Sequence, residues 1–418
     1  MSISKQKSSN YFFPLMIVGI MYFAVGFGVG ISGFLTPALK SAFDLSIGQS
    51  YLVTAAIFSA FVIFGGPSGW VIKKIGYKLS MMLAFFIMAI GMFLFVPSAN
   101  AESFPIFLFA LFVGGMGNTL LQASINPYVT LIGPIESTVM RMSLMGIMNK
   151  GAWWIAPLFL GFFIDLQDVK LDDIVFPFYI VTGIMIFLGV FTYFSKLPEV
   201  KAEGEENNEV VEEDSTTSYA YGKTSIMQFP HLLLGVVAIF IFVGIETLPM
   251  TSIIDFARAT FGDNDPDLAG YSKYVSIGLI LGYIFGALAI PKLISQTKAL
   301  ILFTLIGIGS TTLLVFSPAQ YAFYALLFVS FSNSIMWGAI WPLAIEDLGK
   351  FTKKGSSLLV TGIVGGAVIP LIFGFLVDFI KGSAEIATVD NYQMAYLILY
   401  PCYLFLLYFA VSGHKIRR

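Results

Sequence analysis

The sequence predicts an all-α membrane protein with twelve transmembrane helices in two six-helix halves. Three observations predict it. First, 57% of the 418 residues are hydrophobic and 11% are charged, with a mean hydropathy of +0.85. A soluble domain is typically about 25% charged, so a soluble enzyme is excluded. Second, twelve apolar windows of about 18 residues or more follow one another, each long enough to cross a hydrocarbon core. Third, the chain repeats itself around one acidic, polar interruption.

The first window, 14–36, is longer than the roughly 7–15 apolar residues of a cleaved signal, so it reads as the first helix. The next five lie at 49–70, 79–97, 104–130, 142–164 and 175–194. The interruption follows, in EVKAEGEENNEVVEEDSTTSYAYGK, which buries too little apolar surface to fold alone and reads as a cytoplasmic linker over 195–229. The remaining windows are 230–256, 271–291, 299–316, 320–347, 355–380 and 392–412. The two halves, 14–194 and 230–412, are of nearly equal length.

With the N-terminus inside, seventeen of the 23 Lys and Arg residues fall on the cytoplasmic side and five outside, with Lys150 in the membrane. That bias puts both termini in the cytoplasm, as an even number of spans requires. The formal net charge of −2 averages basic loops with the acidic linker, and nothing in it points to nucleic acid. The single cysteine, Cys402, excludes an internal disulfide, and His231 and His414 read as structural. No residues stand at metal-ligand spacing, so no metal or cofactor is expected.

The halves echo each other. IAPLFLGFFID (Ile155–Asp165) and VIPLIFGFLVD (Val368–Asp378) align at an offset of 213. Asn118, Gln122 and Asn126 recur in spacing as Asn333, Trp337 and Trp341, at an offset of 215, with Pro127 and Pro342 after them. Repeated six-helix halves are a transporter architecture, with a substrate site near the midplane between them. Such an architecture works as a monomer, and a monomer is expected.

GWVIKKIGYK (Gly69–Lys78), between spans two and three, reads as a tight turn carrying cytoplasmic positive charge. It resembles the glycine- and base-rich loop of the major facilitator superfamily, with Lys73 where an acid is common. LLQASINPYVTLIGP (Leu120–Pro134) and the long stretch Ser332–Asp378 resemble the fucose:proton symporter family, which includes glucose/galactose permeases. The resemblance implies the major facilitator fold and sugar transport by symport with a proton, with no enzymatic step. It also exposes departures. Ser32 and Gly33 stand where the family has an Asn-Asp pair in span one, and Gln122 stands where some members have a glutamate. SLMGIMNK (Ser143–Lys150) replaces Asn-Leu-Ala-Gln-x-Phe-Asn-Ser, keeping only Asn149. The usual proton-carrying acids of the first half are absent.

Polar side chains inside a membrane need protein partners or a water-filled cavity, and they mark substrate pathways. Gln122 and Asn126 share a helix face, and their amides match sugar hydroxyls as donors and acceptors. Interhelical hydrogen bonding is the alternative for them, as it is for Asn333. Trp337 and Trp341 offer indole faces for a pyranose, or simple packing and interfacial anchoring. Asn149 completes the expected substrate contacts. Glu246 resembles a glutamate of the family's span seven and is the candidate proton carrier, with a structural acid as the alternative.

Lys150 is open to three readings: snorkelling, binding an anionic or polyhydroxyl substrate, or acting as an internal cation that gates transport. Counted from the expected span ends, it lies roughly 12 Å deep and Glu246 roughly 24 Å deep, which argues against a bridge between them.

The sequence thus predicts a bacterial inner-membrane secondary transporter importing a sugar or sugar derivative by alternating access. Its partners are that solute, a proton or other cation, and the lipid bilayer. A uniporter, an exporter of another small solute and a non-transporting sugar sensor are the rivals. The short linker, with no room for an output domain, counts against the sensor.

Overall fold

In the computed structural model, residues 12–132, 138–166, 168–198, 219, 222–262, 265–290, 293–348, 351, 355, 358–359 and 361–416 are described. Twelve helical segments succeed one another among them. The first six are α1 (Phe12–Ala42), α2 (Ile47–Ile72), α3 (Lys74–Asn100), α4 (Phe104–Leu131), α5 (Thr138–Gly161) and α6 (Asp172–Phe194). The last six are α7 (Pro230–Phe261), α8 (Ser272–Ala289), α9 (Gln296–Phe316), α10 (Ala319–Ile345), α11 (Gly362–Lys381) and α12 (Val389–Lys415). Ten of the described helices are long and apolar enough to cross a membrane; α5 and α8 fall short of that measure. Arg141 and Lys150 both lie on α5.

The expected windows and the observed helices coincide to within a few residues in most places. The fifth departs most usefully, because α5 begins by Thr138 and not at 142. Span ten is expected to be continuous over 320–347. Its helix instead tightens after Asn333, where the Ser334 N–H donates to Phe331 O at 3.2 Å, one residue short of the α-helical partner. Residues 199–218 and 220–221 of the expected linker, and Lys350, Lys353 and Lys354, lie outside the described residues.

The chain reverses at Gly76, in the first turn of α3, whose φ of 80° lies in the region that L side chains avoid. Lys78, just beyond it, donates to Ser195 O at 2.7 Å, at the end of α6, where helix carbonyls favour a cation. Arg141, which falls just before the expected fifth window and counts among the cytoplasmic basic residues, is instead fully buried at the start of α5. It donates from Nε to Val129 O near the end of α4. His231 bonds Glu346 O at 2.8 Å and ties α7 to the residue after α10, whereas His414 bonds Phe409 O at 2.9 Å within the last turns of α12.

Among the described residues, three pairs of helices join the first six to the last six most extensively: α1 with α7, α5 with α8, and α2 with α11. Asp378, at the end of α11, accepts hydrogen bonds from the N–H groups of Ile47 (3.0 Å) and Gly48 (2.5 Å), the first residues of α2. These donors have no partner within their own helix, and the carboxylate also matches the helix dipole. Among the described residues, α4 and α10 are not a packed pair. The bundle is therefore shut at the end that carries the α1–α2 connection.

Close packing of α1 on α5 depends on Gly26. A Cβ there would stand 2.0 Å from the Asn149 carbonyl oxygen, and that backbone atom has no rotamer to retreat into. Gly26→Val is expected to lower the thermal unfolding midpoint of the purified protein, at an overpacking cost of about 1–3 kcal/mol. Gly65→Ala, where a Cβ meets nothing within 4 Å, is expected not to lower that midpoint.

Candidate functional site

Lys150 and Glu246 meet. The ammonium Nζ lies 3.1 Å from Glu246 Oε1, with side chains 7% and 10% exposed. The oxygen accepts no aligned hydrogen bond, so the link is electrostatic. The expectation that the two stand too far apart is corrected here, and the reason is geometric. Measured from Thr138, Lys150 lies twelve residues along α5, roughly 18 Å, against roughly 24 Å for Glu246 along α7. A four-carbon side chain covers the remainder. Trp153, one turn on, places its ring 3.6 Å from the same ammonium. Cation–π attraction of this kind strengthens where water is excluded, and Trp153 is 3% exposed. Lys150 does not snorkel in this arrangement; its charge is held inside the bundle.

Each partner of the ion pair stands on a braced helix. Asn333 is fully buried; its Nδ2 donates to Ile245 O at 2.9 Å and its Oδ1 accepts from Tyr403 at 2.8 Å. The residue after Ile245 is Glu246, so α10 and α12 together fix that stretch of α7. In the first six helices, Asn118 Nδ2 donates to Val25 O at 3.2 Å. Gly26, next in sequence, packs on the backbone of Asn149, beside Lys150. Asn149 Nδ2 in turn donates to Tyr22 O at 3.1 Å. The two asparagines that repeat in sequence thus do the same work, each joining the fourth helix of its set to the first.

The rest of each stripe is left more open. Gln122 Nε2 donates to Asn118 Oδ1 at 2.9 Å, and Asn126 Oδ1 accepts from Tyr22 OH at 2.5 Å. Gln122 Oε1 and Asn126 Nδ2 make no hydrogen bond among the described residues, and both side chains are half-buried. Trp337 and Trp341 are also half-buried, with ring centroids 5.2 Å apart. Trp337 lies 6.3 Å from the Phe242 ring, one turn before Glu246 on the same face of α7.

Three neighbours escape sequence reasoning. Trp153 stands one turn from Asn149 and looks like ordinary helix packing. Tyr22 looks like one aromatic among many on α1. Tyr283, on α8, sets its ring against Gly146 of α5 and lies within electrostatic reach of Glu246. Contacts between distant helices carry no local signal. Among the described residues no cluster of His, Cys, Asp and Glu is placed to hold a metal.

The sequence matches the profile of the Major Facilitator Superfamily over residues 18–371. It is 30% identical over 421 residues to the glucose/galactose transporter of Brucella abortus (biovar 1, strain 9-941), covering 99% of this chain and 96% of the relative. It is 25% identical over 398 residues to the L-fucose-proton symporter of Escherichia coli (strain K12), covering 89% and 88%. The fold is similar to the crystal structure of the transporter FucP in the outward conformation. The TM-score is 0.70 at 24% identity, covering 96% of this chain and 99% of that one.

The two kinds of amide separate experimentally. Asn333→Ala removes two buried hydrogen bonds and leaves the Ile245 carbonyl unmet, while Tyr403 OH keeps Ser332 Oγ at 3.1 Å, and it is expected to destabilise the protein by about 1–3 kcal/mol. Gln122→Ala frees only Asn118 Oδ1 and is expected to cost less. Thermal unfolding of the two purified variants beside wild type measures the difference.

Proposed function

The chain belongs to the Major Facilitator Superfamily, and from that premise we propose that it imports a neutral sugar or sugar derivative, coupled to a proton, across a bacterial inner membrane. The six-helix units 14–194 and 230–412 are the bodies that rock, joined through 195–229. Both termini face the cytoplasm, as the distribution of basic residues favours. The shut end that carries the α1–α2 connection is then the outer one. One chain suffices for the cycle.

Gln122 and Asn126 on α4 and Trp337 and Trp341 on α10 are the substrate contacts in this reading. Their half-buried side chains keep an amide oxygen, an amide N–H and two indole faces available to hydroxyls and to the apolar side of a sugar ring. Asn149 and Asn333 serve the site by holding α1, α5 and α7 in place, since their amides are bonded to protein. The single observation that carries the coupling is the Lys150–Glu246 pair, because its two partners belong to different six-helix units. In the state described, the ammonium neutralises the glutamate. When the units tilt and the pair parts, Glu246 takes a proton in its place, and the pair re-forms as that proton leaves inward.

The same observation favours one second reading. A lysine already does what the proton would do, so a carrier that never parts the pair is a uniporter. Proteoliposomes given a panel of neutral and acidic sugars, with and without an imposed pH gradient, decide between them. Coupled import predicts gradient-driven accumulation of a neutral sugar. Glu246→Gln is then expected to abolish accumulation while sparing exchange, and Lys150→Gln to lose the gradient dependence. Uptake that equilibrates and ignores the gradient in wild type favours the uniporter. Uptake of acidic sugars alone overturns the assignment of a neutral substrate.

A further inference from the structure

A second buried carboxylate lies outside the site described above. Asp255 sits nine residues beyond Glu246 on α7 and is 2% exposed, and neither of its oxygens has a hydrogen-bond partner among the described residues. Two cations face Oδ1: Lys40 Nζ, from the last turn of α1, at 3.9 Å, and Arg258 Nη1, one turn on along α7, at 3.8 Å. Arg258 also donates from Nη2 to Leu166 O at 3.2 Å, in the connection between α5 and α6. Lys40 and Leu166 come from the first six helices, Asp255 and Arg258 from the last six. Tyr51 of α2 and Tyr392 and Tyr396 of α12 lie within electrostatic reach of the carboxylate. Lys40, Asp255 and Arg258 line a partly open cavity of about 820 Å³ at this end of the bundle.

We propose that Asp255 is a gating residue. It holds Lys40 directly and the Leu166 carbonyl through Arg258, and this end of the transporter stays shut while that cluster is assembled. The inference rests on the alternating-access reading but not on the identity of the substrate, the coupling ion or the orientation in the membrane.

The physics suits a gate. Burying an ionised carboxylate costs several kcal/mol unless cations compensate it. With both cations in place the charge is tolerated. With Lys40 withdrawn, hydration of Asp255 in an opened cavity becomes the better state. The distances of 3.8 and 3.9 Å are longer than charge-assisted hydrogen bonds, so the contact parts without breaking a tight bidentate pair. The Asp378 contact with the start of α2, by contrast, consists of two aligned hydrogen bonds to backbone N–H groups, and it too has to part when this end opens.

Opening is read by a cysteine at position 250. Met250 is 1% exposed, and its carbonyl and side chain face Gly33 of α1, so a thiol there is reached only when α1 and α7 separate. The experiment follows the rate of maleimide labelling of Met250→Cys, in a Cys402→Ala background, in purified full-length protein in detergent.

Adding Lys40→Gln is expected to raise the rate several-fold, by leaving the buried carboxylate short of a cation. Adding Asp255→Asn to that variant removes the stranded charge and is expected to return the rate toward the starting value. Lys40→Arg keeps the cation and is expected to label at the starting rate. So is Lys381→Gln, which lines the same cavity and instead bonds Glu385 O. The proposal is overturned if Lys40→Gln labels no faster, or if the double variant labels at least as fast as Lys40→Gln alone. A substrate other than a sugar, or an inverted orientation, changes neither result.

Discussion

A lysine ammonium and a glutamate carboxylate, 3.1 Å apart and almost cut off from water, constrain the middle of this bundle. Neither charge is tolerable there without the other. The desolvation of each ion costs several kcal/mol, and removing one partner from such a pair typically costs about 3–5 kcal/mol. Lys150 and Glu246 must therefore be delivered to the same depth by helices that approach closely. The indole of Trp153 completes the enclosure on the lysine side.

That requirement explains the polar residues around the pair. Asn118 and Asn333 look like substrate ligands in a sequence, because amides in a membrane mark pathways. Their hydrogen bonds go instead to the backbone of α1 and α7, at the residues that set the position of α5 and of Glu246. An amide can bridge helices where an aliphatic side chain leaves carbonyls unmet. The sequence repeat is thus also a repeat of function, since each asparagine joins the fourth helix of its set to the first. Below them the stripes diverge. Gln122 and Asn126 keep free polar ends, while Trp337 and Trp341 present rings.

Charge is also placed at the shut end of the bundle, with a different character. Asp378 meets the start of α2 through aligned hydrogen bonds, whereas Asp255 faces its two cations at longer range and without aligned bonds. One contact holds direction and distance closely, and the other is held by field alone.

The sequence by itself determined the number, order and approximate limits of the helices, and the likeness between the two halves. Apolar windows are set by bilayer thickness, a property of contiguous residues, and so are legible without a structure. It also singled out Lys150 and Glu246, because a charge in an apolar run stands out at once. Only the tertiary structure decided that they meet. Depth counted along separate helices compounds uncertainty in each end, and a start at Thr138 in place of 142 is enough to reverse the conclusion. The same holds for Asn333, whose partners on α7 and α12 lie 88 and 70 residues away. Asp255, beside Arg258 near a helix end, looks like an ordinary surface acid in the sequence, because its second cation, Lys40, sits on α1. Pairings between helices are fixed by packing across the bundle, and no local pattern in the chain encodes them.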